Sequence, residues 1–110
     1  MAEEKPLASG TLVIGLGRFG SAVAATLDRL GHEILGVEKD PRRVQQFAGR
    51  IPLVEADASN AEALEQLGAR EFASAVVGIG SSLEASVLIT ANLVDIEIPS
   101  IWAKAISREH

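Results

Sequence analysis

An apolar run that breaks into glycines near the start of the chain is the feature that most constrains its fold. Residues 11–20 read Thr-Leu-Val-Ile-Gly-Leu-Gly-Arg-Phe-Gly, so Gly15, Gly17 and Gly20 have the spacing G-x-G-x-x-G. Where such a loop joins a strand to a helix, its glycines allow a tight turn, close approach to a phosphate and close packing of the helix. The helix N-terminus then presents unpaired N–H groups to the anion. The pattern predicts a phosphate-binding loop, although one such pattern alone is a weak indication.

The rest of the chain alternates short apolar runs with longer amphipathic segments. The runs that predict strands are 12–16, 33–38, 51–57, 73–79 and 100–105. The segments that predict helices are 18–30, one after an Asp40 N-cap, one after a Ser59 capping box, and 83–94 after a Ser81 capping box. Helices between apolar strands imply right-handed crossovers and a parallel sheet. We therefore expect an α/β fold, a Rossmann-like doubly wound parallel sheet with strand order 3-2-1-4-5.

The composition argues against several classes of function. The 110 residues are 47% hydrophobic, which fits a single domain at 10–110 after a flexible N-terminal tail at 1–9. Ten basic and fifteen acidic side chains give a net charge of −5, so we expect no nucleic-acid partner. With no cysteine and two scattered histidines, we expect no metal site. No apolar run approaches the ~20 residues of a membrane span, so we expect no direct membrane insertion.

In a sheet of this order, a ligand lies across the carboxyl ends of strands one and four, where the strand order reverses. Leu16, Arg18 and Phe19 complete the glycine loop at this point. Arg18 opens the predicted helix, where a cation faces the positive end of the helix dipole. A bound anion would offset this unfavourable interaction. The alternative is that Arg18 is a solvated surface residue.

Acidic side chains end the next two strands. Glu38 follows the last glycine of the loop by eighteen positions, near the ~20-residue offset at which a carboxylate accepts hydrogen bonds from a ribose. Its charge disfavours NADP against NAD, ATP or ADP, and the alternative is a carboxylate facing water. Lys39 either lies along the nucleoside or is a surface residue. Asp57 either accepts a hydrogen bond from an adenine amino group, with Ala58 leaving room for the ring, or only forms the following turn.

The glycines after the fourth strand form the other wall of the crevice. Gly78 and Gly80 leave space for the middle or distal part of a ligand, and Ser81 either donates its hydroxyl or only caps the next helix. Ser82 is interpreted as an N-cap alone. Lys104 lies near the end of the fifth strand. It reaches a phosphate if the crevice lies on the face of the sheet to which its side chain points, and is otherwise a solvated edge residue.

Five segments occur together in one known family. They are the glycine loop, the strand-ending acid Glu38, and the runs 56–59, 76–80 and 98–105, which read Ala-Asp-Ala-Ser, Val-Val-Gly-Ile-Gly and Ile-Pro-Ser-Ile-Trp-Ala-Lys-Ala. Together they resemble the N-terminal nucleotide-binding lobe (TrkA-N) of RCK (regulator of potassium conductance) domains, as in regulatory subunits of bacterial Ktr and Trk potassium uptake systems. The resemblance implies a non-enzymatic, cytoplasmic regulator at the inner membrane. Such a regulator binds ATP, ADP or NAD(H), assembles as homodimers into a ring, and gates a separate membrane potassium transporter or channel.

The resemblance also implies roles for individual residues. The glycine loop would hold phosphates, Glu38 would hold the ribose, and Arg18 would meet the terminal phosphates of a ligand in its own or a neighbouring subunit. The other implied contacts are Asp57 and Ala58 beside the adenine, and Gly78, Gly80 and Lys104 along the far wall. Glu38 departs from the aspartate often found in the family. The chain also ends at His110, inside what would be the next helix, so we expect a domain truncated at its C-terminal end.

Two other functions are compatible with the sequence. The first is the NAD-binding domain of a dehydrogenase, which needs a substrate domain and a catalytic acid or base near the nicotinamide. The second is an interaction scaffold with an empty crevice. The fifth strand would form an edge with apolar Ile101 and Trp102, which predicts self-association. The sequence does not rank ATP against NADH, because both present the same adenosine and first phosphates.

Overall fold

The computed structural model describes residues 9–79 and 82–103, which form a parallel sheet covered by helices on both faces. The described strands are β1 (Thr11–Ile14), β2 (Ile34–Glu38), β3 (Leu53–Glu55), β4 (Ser74–Val77) and β5 (Ser100–Ala103). The described helices are α1 (Arg18–Arg29), α2 (Pro41–Phe47), α3 (Ala61–Gln66) and α4 (Leu83–Asp95), with a 3-10 turn at Ala69–Glu71. The strand order is β3-β2-β1-β4-β5. The predicted Rossmann-like α/β fold and its strand order are confirmed.

The apolar run of β1 lies at the centre of the sheet, because both faces of this strand are covered. Ile14 pairs in register with Val37 of β2 and Val77 of β4. Its neighbour Val13 points into a second core, together with Ala24 of α1. The larger core, on the opposite face, contains residues of α3 and α4. The central strand therefore carries a helical layer on each side and ends at the same edge as β2 and β4.

The start of α2 follows the prediction. Asp40 is the N-cap, its carboxylate accepts a hydrogen bond from the N–H of Arg42, and Pro41 is the first helical residue. Proline suits this position because its missing N–H would have no helical partner. The spacing of apolar residues also predicts that Val44, Phe47 and Ala48 face inward from this helix, which is only partly correct, because Ala48 lies beyond the helix and is exposed.

The cap of α3 differs from the prediction. The predicted N-cap, Ser59, instead donates its hydroxyl to the Asp57 carboxylate at 2.7 Å. Asn60 is the N-cap, and its side-chain oxygen accepts from the N–H groups of Glu62 and Ala63. The reason is that Asp57 forms a turn with Ser59 and moves the helix start one residue later.

The interpretation of Ser82 as an N-cap is confirmed for α4, which begins one residue later than the Ser81 capping box predicts. Ser82 is the N-cap, and its hydroxyl oxygen accepts a hydrogen bond from the N–H of Ala85 at 3.1 Å. Ser81 and Gly80 lie outside the described residues, as do the N-terminal tail to residue 8 and everything from Lys104 onward. The predictions that rest on them stay predictions.

Candidate functional site

A cavity of about 370 Å³ lies at the carboxyl edge of the sheet, where the strand order reverses between β1 and β4. Its volume lies within the range of small-molecule binding sites. Most of the predicted site residues line it, namely Gly15, Gly17, Arg18, Phe19, Glu38, Lys39, Asp57, Ala58 and Gly78. The structure therefore brings together residues from four separate segments of the chain.

Two predicted site residues do not line the cavity. Leu16 is 1% exposed and packs in the core beneath the loop, and Gly20 is buried inside the first turn of α1. Both support the loop from behind. Gly80, Ser81 and Lys104 lie outside the described residues.

The three glycines of the loop differ in backbone conformation and in the space around them. Gly15 has φ +90°, a backbone conformation that favours glycine. A Cβ at Gly20 would overlap the carbonyl oxygen of Gly15, so α1 packs at this distance only with glycine there. Gly17 has φ −74°, and the nearest atom to a Cβ there would be Nη1 of Arg43, at 3.9 Å. The protein's own packing therefore requires the first and third glycines, whereas a Cβ at Gly17 would make only an ordinary van der Waals contact with Arg43.

Gly78 at the end of β4 has a packing role that sequence analysis did not identify. A Cβ there would lie 3.2 Å from the Cα of Gly20 and 3.3 Å from a ring carbon of Phe19. The absence of a side chain thus lets the N-terminus of α1 approach β4. Gly78 also lines the cavity, so it contributes to both packing and shape.

The first turn of α1 contains no side chain that offsets the positive end of the helix dipole. Gly17 is its N-cap and offers no side-chain hydrogen bond, and the first turn contains no acidic residue. The first helical residue is the exposed Arg18. The positive end of the helix dipole and an arginine therefore meet at the cavity, an arrangement that favours an anion.

Glu38 is held by backbone groups, and only 5% of the residue is exposed. Its Oε1 accepts a hydrogen bond from the N–H of Leu16 at 2.7 Å, and its Oε2 accepts one from the N–H of Asp40 at 2.9 Å. The carboxylate therefore ties the glycine loop to the end of β2. Each carboxylate oxygen has more than one lone pair, so these bonds leave acceptor capacity toward the cavity.

Asp57 forms the turn that sequence analysis left as one of two alternatives. Its Oδ1 accepts hydrogen bonds from the N–H of Ser59 at 3.0 Å and from the hydroxyl of Ser59 at 2.7 Å. These bonds, with a smaller contribution from the positive charge of Lys39, hold the pKa of Asp57 below its ordinary value of 3.8. Asp57 is therefore an anion at neutral pH, and its contact with an adenine stays a prediction.

Sequence analysis did not identify the roles of two residues in this region. Asn92 of α4 donates its side-chain amide to the carbonyl oxygens of Ala58 and Ser59, at 3.1 and 3.0 Å, and so fixes the segment after β3. Arg43 in the first turn of α2 lines the cavity. The available signal for Arg43 was its position, because a helix that follows a parallel strand begins at the ligand-binding edge.

Two further classes of feature are absent from residues 9–79 and 82–103. These residues contain no group of three or more His, Cys, Asp or Glu side chains placed to hold a metal ion. They also contain no helix whose length and apolar character would let it cross a bilayer.

The fold and the cavity define a Rossmann-like domain whose glycine loop and first helix N-terminus border the cavity. The family model of the TrkA-N domain matches residues 11–110, and the chain belongs to this family. It is 40% identical over 99 residues to Ktr system potassium uptake protein A of Bacillus subtilis (strain 168), an alignment that covers 89% of this chain and 45% of that protein. The chain thus spans less than half the length of this relative.

Two solved structures share the fold. The NAD(P)-binding domain of an exopolyphosphatase-related protein from Archaeoglobus fulgidus has a TM-score of 0.79 at 19% identity, over 89% of this chain and 74% of that one. The Kef CTD of Shewanella denitrificans in its AMP-bound form has a TM-score of 0.75 at 23% identity, over 91% of this chain and 60% of that one. At these identities the likeness establishes the fold alone.

Proposed function

We propose that the chain is a regulatory domain that binds ATP or ADP, accepts NAD(H) through the same contacts, and controls a membrane potassium transporter. The observation that carries the proposal is the convergence of the glycine loop, the positive N-terminus of α1 and Glu38 on one cavity. This combination suits a ligand that joins a phosphate to a ribose. Membership of the TrkA-N family supports it.

The geometry favours an unmodified adenosine ribose beside Glu38. The carboxylate is oriented by the N–H groups of Leu16 and Asp40, so its remaining lone pairs are available to two ribose hydroxyls. A 2′-phosphate would bring negative charge against this anion, which disfavours NADP. The adenine would lie near Asp57 and Ala58, and the phosphates over Gly17, which has no side chain of its own.

A regulatory role fits the cavity better than catalysis. Its described lining includes no histidine. Both its carboxylates already accept hydrogen bonds from the protein, Glu38 from backbone and Asp57 from Ser59. A regulator requires only that the ligand bind two arrangements of the protein with different affinity, because a ligand with equal affinity for both shifts neither.

The relatives support a proposal for the partner and the location. A relative in Bacillus subtilis is a potassium uptake protein, so we infer that this domain acts within a longer protein on a membrane-embedded transporter or channel subunit. We also infer that the domain works in the cytoplasm, at the inner face of the membrane, through that partner. In the longer protein, homodimers would assemble into a ring, and the nucleotide would change the arrangement of subunits.

Thermal unfolding of the chain with a series of ligands tests the nucleotide. ATP, ADP and NADH should raise the unfolding temperature, because a ligand at 100 times its Kd stabilises by about 2.7 kcal/mol. Adenosine should have little effect, and NADPH should have less than NADH. An unchanged unfolding temperature with every adenine ligand would support the empty-crevice scaffold and overturn the proposal.

A further inference from the structure

The first turn of α2 places an arginine directly over the phosphate loop. The guanidinium of Arg43 is the nearest group to the position of a Cβ on Gly17, with Nη1 at 3.9 Å and Cζ at 4.0 Å. Gly17 is also the N-cap of α1. Arg43 therefore reaches, from the β2 side of the cavity, the same point that the N-terminus of α1 reaches from the β1 side.

Nothing among the described residues neutralises Arg43. Its neighbour Arg42 lies near the Asp40 carboxylate at 4.0 Å, whereas Arg43 has no ion pair or side-chain hydrogen bond within residues 9–79 and 82–103. The two carboxylates of the cavity accept hydrogen bonds from backbone N–H groups and from Ser59, and neither forms an ion pair with Arg43.

Arg43 and Arg18 thus line one cavity beside a helix N-terminus. Like charges that converge repel each other, and this happens in a chain whose net charge is −5. The arrangement is favourable when an anion lies between them. Guanidinium groups are suited to such an anion because they bind phosphate oxygens in a bidentate manner.

We propose that Arg43 is a second phosphate-binding residue, which acts with Arg18 to select ligands that carry at least two phosphates. This inference rests on the proposed function, because it assigns a contact within that nucleotide site. Arg43 meets the phosphates that lie over Gly17. It contributes little to the binding of adenosine, which has no phosphate.

Calorimetric titration of Arg43→Ala with adenosine, AMP, ADP and ATP tests the inference. A charge-assisted hydrogen bond contributes about 1.5–3 kcal/mol, so the affinity for ADP and ATP should fall roughly tenfold or more. The affinity for adenosine should not change, and the affinity for AMP should fall less than the affinity for ADP. Arg43→Lys keeps the positive charge but lacks the planar guanidinium group. Its affinity for ADP and ATP should therefore lie between that of Arg43→Ala and that of the unmodified chain.

Arg42→Ala is the matched control, because Arg42 is an exposed arginine on the same turn that does not line the cavity. Equal losses of ADP affinity in Arg42→Ala and Arg43→Ala would indicate general surface charge and overturn the inference. Unchanged ADP binding in Arg43→Ala would also overturn it, while the proposed function would stand. If the unmodified chain binds no nucleotide, the proposed function itself fails.

A titration with NADPH separates a further alternative. If Arg43→Ala loses affinity for NADPH but keeps its affinity for ADP, the arginine reads a 2′-phosphate and the inference is wrong. The unfolding temperature of each variant without ligand checks the fold. Because Arg43 is exposed, we expect these temperatures to agree, and Arg43→Gln provides a second neutral variant if Arg43→Ala unfolds.

Discussion

At the scale of single residues, Glu38 combines two tasks in one carboxylate. It holds the glycine loop through the N–H of Leu16 and faces the cavity in which we place the ribose. A glutamate instead of an aspartate adds one methylene of reach, and the structure uses this reach to span from β2 to the loop. Substitution at this position should therefore affect stability as well as binding.

Glu38→Gln should lower the free energy of unfolding by about 2 kcal/mol, because an amide N–H₂ group would face a buried N–H donor and leave it without an acceptor. Urea unfolding measures the change. Glu55→Gln is the control, because Glu55 is an exposed residue of β3 that pairs in register with Glu38 of β2. Equal unfolding free energies for the two variants would show that the loop does not depend on this carboxylate.

Arg18 is the residue that we expect to read the terminal phosphate. Arg18→Ala should narrow the difference between ATP and ADP affinity while ADP binding persists, because ATP loses a charge-assisted contact of about 1.5–3 kcal/mol. Calorimetry with both nucleotides measures the ratio. Arg29→Ala, at the opposite end of the same helix, should leave it unchanged. An ATP/ADP ratio in Arg18→Ala equal to that of the unmodified chain would remove this role.

At the scale of elements, the junction of β1, α1 and β4 depends on contacts between backbones. Gly20 lies against the carbonyl of Gly15, and Gly78 lies against Gly20. The first turn of α1 can approach the sheet this closely only without side chains. This packing positions the N–H groups of the helix at the cavity.

Gly20→Ala should lower the free energy of unfolding by about 3 kcal/mol, because the added methyl group overlaps the Gly15 carbonyl and forces the helix outward. Gly17→Ala has an ordinary φ and would bring its methyl group only into ordinary contact with Arg43, so it should cost less than about 1 kcal/mol. Urea unfolding of both variants provides the comparison. If Gly20→Ala were as stable as Gly17→Ala, the proposed packing of α1 would be wrong.

The sequence was sufficient to predict this architecture because its signals are local and repeated. Continuous apolar strands, helical periodicity and the glycine loop together determine a parallel sheet with this order. Sequence reasoning placed the cap of α3 one residue early and offered both Ser81 and Ser82 for the cap of α4, since two adjacent polar residues compete for each cap. It missed Arg43 and Asn92 because their roles depend on contacts between distant elements, such as the bonds from Asn92 to Ala58 and Ser59.

At the scale of the whole molecule, α4 presents apolar side chains on both of its sides. Ile89 and Leu93 are buried against the sheet, while Leu83, Val87, Leu88 and Val94 are exposed. Trp102 on the neighbouring strand β5 is 67% exposed. An exposed apolar surface of this kind is typical of an interface, and it supports the proposal of a homodimer.

Light scattering at tens of micromolar should give the mass of two chains or more. Val87→Glu should shift the mass toward that of one chain, because it places a charge within the exposed apolar surface of α4. Gln45→Glu adds the same charge at an exposed position of α2 and should not change the mass. A monomeric mass for the unmodified chain would count against self-association through this surface.

The central claim is that a phosphate of an adenine nucleotide lies over Gly17, and Gly17→Asp tests it most directly. The φ of −74° suits the new side chain, a Cβ there would make only an ordinary contact with Arg43 at 3.9 Å, and aspartate is a favourable N-cap. We therefore expect the variant to unfold at or above the temperature of the unmodified chain, and calorimetric titration with ADP to detect no binding. Binding of ADP to Gly17→Asp with the affinity of the unmodified chain would contradict the account.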